Sequence, residues 1–338
     1  MKNFQIMRNS SVELLRFIAM FFIVLSHASG HGAWGEGGDN LVLNSVLMQG
    51  MQFFGEVGNC IFILITGFFC WEKNRINLKS LRRLLIDVHF YSISIYVLVI
   101  LFGICHFSLG GGIKALFPIV FTQYWFILPY ITIFFLAPWL NYFIASLTTK
   151  RLLFFLIFLF LIECILPIIN AKTISSNVGL FIFFYSVGAI LKKSKLFFQV
   201  ISNLKFVLIL GSLILCYLLN FMEITQGFFF HASSANAMRF SFLPLSFALG
   251  LFVLFVTLNI NSQLINATAK SVFAVYIISE NPNVWGWLWK TSWLNVDSVL
   301  NSYYLVPKVI LISLFVMVLC IIIDVFVKKV YNSVFVKG

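Results

Sequence analysis

Charge is what this chain lacks most. Only 10% of its residues are Asp, Glu, Lys or Arg, against about 25% in ordinary soluble domains. Hydrophobic residues make up 61% and the mean hydropathy is +1.00, which excludes a water-soluble globule and indicates an integral membrane protein. Acidic residues are the scarcer sign, 11 against 23 basic, for a net charge of +12. No nucleic-acid partner follows from that excess, because the basic residues lie in short loops beside apolar runs. The six cysteines (Cys60, Cys70, Cys105, Cys164, Cys216 and Cys320) sit in or at the ends of apolar segments with no C-x-x-C pair. Neither a metal site nor a disulfide framework is therefore expected, and each reads as a small hydrophobe. Also missing are a loop long enough for a second domain, an internal repeat, and a cleavage pattern after the first apolar run. One domain over residues 1–338 with a retained first span is the expectation.

What is abundant is phenylalanine, at 41 copies, which suits lipid-facing helices. About 20 mainly apolar residues cross a bilayer. Ten segments qualify: 11–29, 49–71, 84–105, 123–146, 151–169, 176–192, 204–221, 240–260, 270–288 and 305–328. The expected fold is all-α and polytopic. In the ninth segment Pro282 and Gly286 predict a broken helix or re-entrant turn, tolerated where protein or water satisfies the freed backbone groups. With both termini cytoplasmic, most Lys and Arg fall inside, and only Lys114, Lys172, Arg239, Lys290 and Lys308 fall outside. The largest outer segments are about 30–48, 222–239 and 289–304; the first, GHGAWGEGGDNLVLN, has a composition suited to an access loop or to a plain flexible one.

Against this background the few polar groups need reasons. The first span, SSVELLRFIAMFFIVLSHASG, carries Glu13, Arg16 and His27. Eleven positions at 100° each bring Arg16 and His27 onto one helix face, separated by about 16 Å. Glu13 precedes Arg16 by one turn and can pair with it. Ionisable groups at such depth cost roughly 2.5–3.5 kcal/mol each on insertion scales, so they face a protein interior or a wet cavity. A snorkelling Arg16 and a core His27 bonded to a carbonyl would also satisfy the spacing. Acyl transfer from acyl-coenzyme A to a hydroxyl fits it too: an imidazole base at one end, a cation for phosphates at the other.

Further cations come from WEKNRINLKSLRRLLID, where Arg82 and Arg83 open a helix rather than lie mid-loop, with Asp87 and His89 just beyond. Topology alone explains part of that cluster. Glu163 stands in the middle of the fifth span, with structure and function equally open, and Glu280 stands at the predicted break in VYIISENPNVW. Trp125 and the surrounding TQYWFILPY read as an outer aromatic belt.

Taken in order, these elements resemble the acyltransferase family 3 integral membrane proteins, bacterial enzymes that acylate cell-surface sugars. Glu13, Arg16 and His27 match the family's first-helix pattern. IFILITGFF matches its F-F-x-x-S-G-F ending, with Thr66 for Ser and Gly67 retained, and SLRRLLID matches its arginine-rich third-helix start. QYWFILPYITIFFLAPWLN and FAVYIISENPNVW are similar to two later motifs. The chain departs from the pattern at Ile86–Asp87, where the family has a further basic residue, and at Ser279, where it has a histidine. The resemblance implies acetyl-CoA as donor and no metal. The acceptor would be a surface polysaccharide (O-antigen, capsule or exopolysaccharide) or its undecaprenyl-linked precursor, and the location the lipid of the bacterial inner membrane. Arg16, Arg82 and Arg83 would hold the coenzyme phosphates, His27 would act on the hydroxyl or carry the acetyl group, and Glu280 or Glu13 would orient it. A flippase or transporter of lipid-linked sugars could use the same buried charges, but no inverted repeat or paired broken helices support one. A glycan polymerase would need a large outer loop, which the sequence lacks.

Overall fold

The computed structural model describes residues 9–31, 42–73, 75–166, 177–226, 242–291, 294, 296, 299 and 301–335, and every regular element among them is helical. In chain order these are α1 (Ser10–His31), α2 (Val42–Cys70), α3 (Leu78–Leu101), α4 (Leu109–Leu116), α5 (Ile127–Ser146) and α6 (Thr149–Phe160, continued by a π turn at Leu161–Ile165). They are followed by α7 (Asn177–Lys193), α8 (Lys195–Gln226), α9 (Phe242–Thr257), α10 (Gln263–Thr268), α11 (Val272–Ser279) and α12 (Leu305–Phe335). Lys2, Arg8, Lys172, Arg239, Lys337, the glycine-rich stretch after His31 and most of the 222–239 segment lie outside the described residues.

Helix coincides with each of the ten expected segments, but length and composition qualify only six of the described helices to cross a bilayer: α1, α2, α3, α5, α8 and α12. The other four are α6, α7, α9 and α11. The last stops at Ser279, where the predicted break falls. Exposed apolar residues band the outside, among them Phe154, Phe206, Val207, Leu311 and Phe326. In water such a surface would aggregate; in a bilayer it is the lipid contact.

α2 is the hub, packed on α1, α7, α9 and α8. Lipid tails are as apolar as leucine, so close packing of small residues has to hold such helices together. At Gly58 an added Cβ would lie 2.5 Å from the Ala19 carbonyl oxygen of α1. At Gly67 it would collide with the Tyr185 carbonyl of α7. The Thr66–Gly67 motif is thus a helix-crossing device.

Helix ends are satisfied by long-range partners. Asn141 Nδ2 donates to the Cys70 carbonyl at 2.8 Å and the Lys73 carbonyl at 3.2 Å, and Tyr185 Oη donates to Asn141 Oδ1 at 2.9 Å. Lys193 Nζ donates to the Ile144 and Leu147 carbonyls at 2.6 and 3.1 Å, placing a cation on the last turn of α5 where the helix dipole is negative. The end of α2, the start of α3 and the end of α5 therefore form one basic end of the bundle. The end of α1 and the start of α2 form the other.

Candidate active site

The site is built around the break after α11. Glu280 closes that helix, its N–H donating to the Tyr276 carbonyl at 3.0 Å. Asn281, 0% exposed, then organises the turn. Its Oδ1 accepts from the Asn283 N–H at 2.9 Å, its carbonyl accepts from Val284 and Trp285, and its Nδ2 donates to Tyr124 Oη at 2.9 Å. Pro282 brings no N–H that would need a partner inside the bundle. The sequence Glu-Asn-Pro-Asn thus ends the helix with the Glu280, Asn283, Val284 and Trp285 N–H groups bonded and leaves the Glu280 carboxylate displayed toward α1.

There it meets two imidazoles one helical turn apart. His27 Nδ1 lies 2.8 Å from Glu280 Oε1 and His31 Nε2 lies 3.5 Å from Oε2. The shorter contact is out of line for a hydrogen bond, and neither of its atoms has another hydrogen-bond partner. It is an ion pair whenever the ring is protonated, and a small ring rotation would align it, as apo sites commonly require. Because Nδ1 faces the carboxylate, Nε2 is the nitrogen left for chemistry. His31 stacks on Trp285 at 4.5 Å between ring centroids. A cavity of about 320 Å³ opens over this group, walled by α1, by Gln52, Glu56 and Asn59 of α2, and by Trp125.

Toward the basic end, a second void of about 30 Å³ shares Ile23 and Asn59 with the cavity and is closed by Met20, Phe62, Phe126 and Tyr276. It has room for a water or two. Arg16 lies beyond it, paired through Nη1 with Glu13 Oε1 at 2.8 Å.

The expected site residues thus divide into two groups. His27 and Glu280 come together in the cavity. Glu13 does not join them: it is 14 positions from His27, about 21 Å along α1, and is occupied by Arg16. Arg82 and Arg83 are exposed on the first turns of α3, at the same end of the bundle as Arg16. Arg83 is within electrostatic reach of Asp87, as is Lys328. Lys328 is also ion-paired with the buried Asp324, which accepts from Tyr91 Oη at 2.6 Å. His89 bonds instead to the Leu85 carbonyl of its own helix. Glu163 is buried in the π turn against Gly179, with Oε2 unpartnered. The expected aromatic belt is instead internal: Tyr124 and Phe126 are buried and Trp125 lines the cavity.

Sequence reasoning did not single out His31, Glu56, Gln52 or Asn59. A signal existed for the last three, a polar stripe at i, i+4 and i+7 in an otherwise apolar helix.

The family model described as an acyltransferase domain matches residues 9–325. Neither curated proteins nor solved structures gave a match to this chain. The matched span begins one residue before α1, runs about two thirds of the way along α12, and takes in both the His27–Glu280 cavity and the basic end. By that match, over nearly its whole length, the chain belongs to acyltransferase family 3, a multi-pass membrane acyltransferase.

Proposed function

We propose that this protein transfers an acetyl group from acetyl-CoA to a hydroxyl of a cell-surface polysaccharide or its undecaprenyl-linked precursor, within the bacterial inner membrane. The observation that carries the reading is the pairing of His27 with Glu280 in a cavity at one end of α1, with Arg16 toward the other. The coenzyme phosphates are assigned to Arg16, Arg82 and Arg83, whose guanidinium groups suit phosphate oxygens. The roughly 16 Å of helix between Arg16 and His27 is comparable to the reach of a pantetheine arm. Passage of the thioester past Phe62, Phe126 and Tyr276 requires those rings to swing aside.

In the reaction, His27 Nε2 takes the proton of the acceptor hydroxyl as its oxygen attacks the thioester carbonyl. The new C–O bond forms, the C–S bond breaks, and the imidazolium returns the proton to the departing thiolate, giving the O-acetyl ester and free coenzyme A. Glu280 stabilises the imidazolium during the step. A general base of this kind contributes about a hundred- to ten-thousand-fold.

The test uses proteoliposomes holding the full chain, acetyl-CoA and acceptor glycan, with free thiol as readout. The wild type releases coenzyme A and acetylates the glycan; His27→Ala lowers both by about a hundredfold or more while remaining folded by size-exclusion chromatography. A wild type that moves glycan across the bilayer and leaves the thioester intact would establish a transporter instead.

A further inference from the structure

The His27 cavity has a wall that the acetyl-transfer step does not use. Gln52, Glu56 and Asn59 stand at i, i+4 and i+7 on α2, so they form one polar stripe, and all three line the cavity opposite Glu280. Trp125 closes the side. Asn59 Nδ2 donates to Glu56 Oε2 at 3.4 Å, which steadies the carboxylate. No lysine or arginine is among the described residues of this wall.

Each feature selects an occupant. Two amide side chains offer both donors and acceptors, and a carboxylate offers two acceptor oxygens, a match for adjacent hydroxyls that donate. An alkyl chain seated here would displace water from these polar groups and give no hydrogen bond in return. An anion would face two carboxylates, Glu56 and Glu280, with no fixed cation on the wall. The indole offers an apolar surface to the C–H bonds of a ring. At about 320 Å³ the cavity is at the small end of ligand pockets, enough for one ring rather than an oligomer.

We infer that the α2 stripe Gln52–Glu56–Asn59, with Trp125 as its side wall, is the acceptor subsite, and that it selects a neutral sugar ring carrying an adjacent pair of hydroxyls. The inference rests on the acyltransferase reading above and adds which residues choose the acceptor. One hydroxyl of the pair is presented to His27 Nε2 while Glu56 accepts from its neighbour. Specificity then resides on a rigid helix at the hub of the bundle, not in the outer segments.

Binding is measured by saturation-transfer NMR on the full chain in nanodiscs, with no donor present. The probes are methyl glycosides of neutral hexoses, their singly deoxygenated analogues, and hexose 6-phosphates. Neutral glycosides are expected to bind the wild type, with at least tenfold weaker binding for the hexose phosphates and for the analogue lacking one hydroxyl of the recognised pair. Glu56→Gln should abolish that discrimination and raise Kd at least tenfold. Trp125→Phe should retain binding and Trp125→Ala should lose it. Thermal unfolding of each variant, matched to wild type, separates a lost contact from a lost fold. A wild type that binds none of the glycosides, prefers the phosphates, or keeps its Kd when Glu56 is changed overturns the inference. Failure of the acetyl-transfer reading is registered separately, as absent thioester cleavage.

Discussion

Among single residues, Glu280 sets which side of the His27 ring is open, since it faces Nδ1 and leaves Nε2 for the proton transfer proposed above. His31 shares the same carboxylate at longer range, so removing the charge of Glu280 affects two rings at once. Glu280→Gln keeps volume and shape but can no longer stabilise an imidazolium. We expect kcat for acetyl transfer to fall about a hundredfold or more, with the KM for acetyl-CoA within about threefold of wild type, as for a group acting mainly in the transition state. Steady-state kinetics on matched amounts of folded protein checks this; an unchanged kcat would remove Glu280 from the reaction. Much of this pair could be read from the chain itself. His27 was visible because an imidazole in an apolar run demands a partner, and Glu280 because Pro282 announces a break. His31 was not visible: it adjoins a glycine-rich stretch and reads as loop, whereas α1 continues through it. Glu13 was legible as the partner of Arg16, but its sequence neighbourhood cannot say that the cavity lies at the far end of the helix.

At the level of elements, the sequence reports which segments are apolar but not which of them touch. The Thr66–Gly67 motif could be recognised, yet its reason, the carbonyl of Tyr185 pressed onto the glycine, involves a helix more than a hundred residues away. The same holds for Tyr124, which looks like an interfacial aromatic and instead receives the Asn281 amide. Gly58 offers a test of this close packing. Valine there must push α1 from α2, because its Cβ would meet the Ala19 carbonyl and the Ile23 side chain. Overpacking of this kind costs about 1–3 kcal/mol. Gly58→Val should therefore lower the thermal midpoint in detergent and, by shifting α1 across α2, reduce transfer even where the protein stays folded. Gly211, where an added Cβ meets nothing within 4 Å, is the control: Gly211→Ala should leave the midpoint at or above that of wild type, since alanine is the better helix former.

The molecule as a whole has two unlike ends. One gathers Arg16, Arg82, Arg83 and the lysine-capped end of α5; the other holds the cavity, with Asn44 of α2 donating to the Ser302 carbonyl at 2.9 Å beside it. The charge bias of the loops predicts that the basic end faces the cytoplasm; under the proposed function acetyl-CoA would enter there, and the acetyl group would travel the depth of α1 to an acceptor near the outer leaflet. That orientation can be measured directly. Lys79 marks the basic end, exposed at the start of α3, and Tyr303, 75% exposed, marks the cavity end. Tyr303→Cys should react with a membrane-impermeant maleimide on intact cells, and Lys79→Cys only after the cells are opened, each measured above the labelling of the unaltered chain with its own cysteines. The opposite pattern would put the cavity on the donor's side. The span from Arg16 to His27 would then have no membrane depth to bridge, and the chemistry would have to be reassigned to an acceptor that meets acetyl-CoA in the cytoplasm.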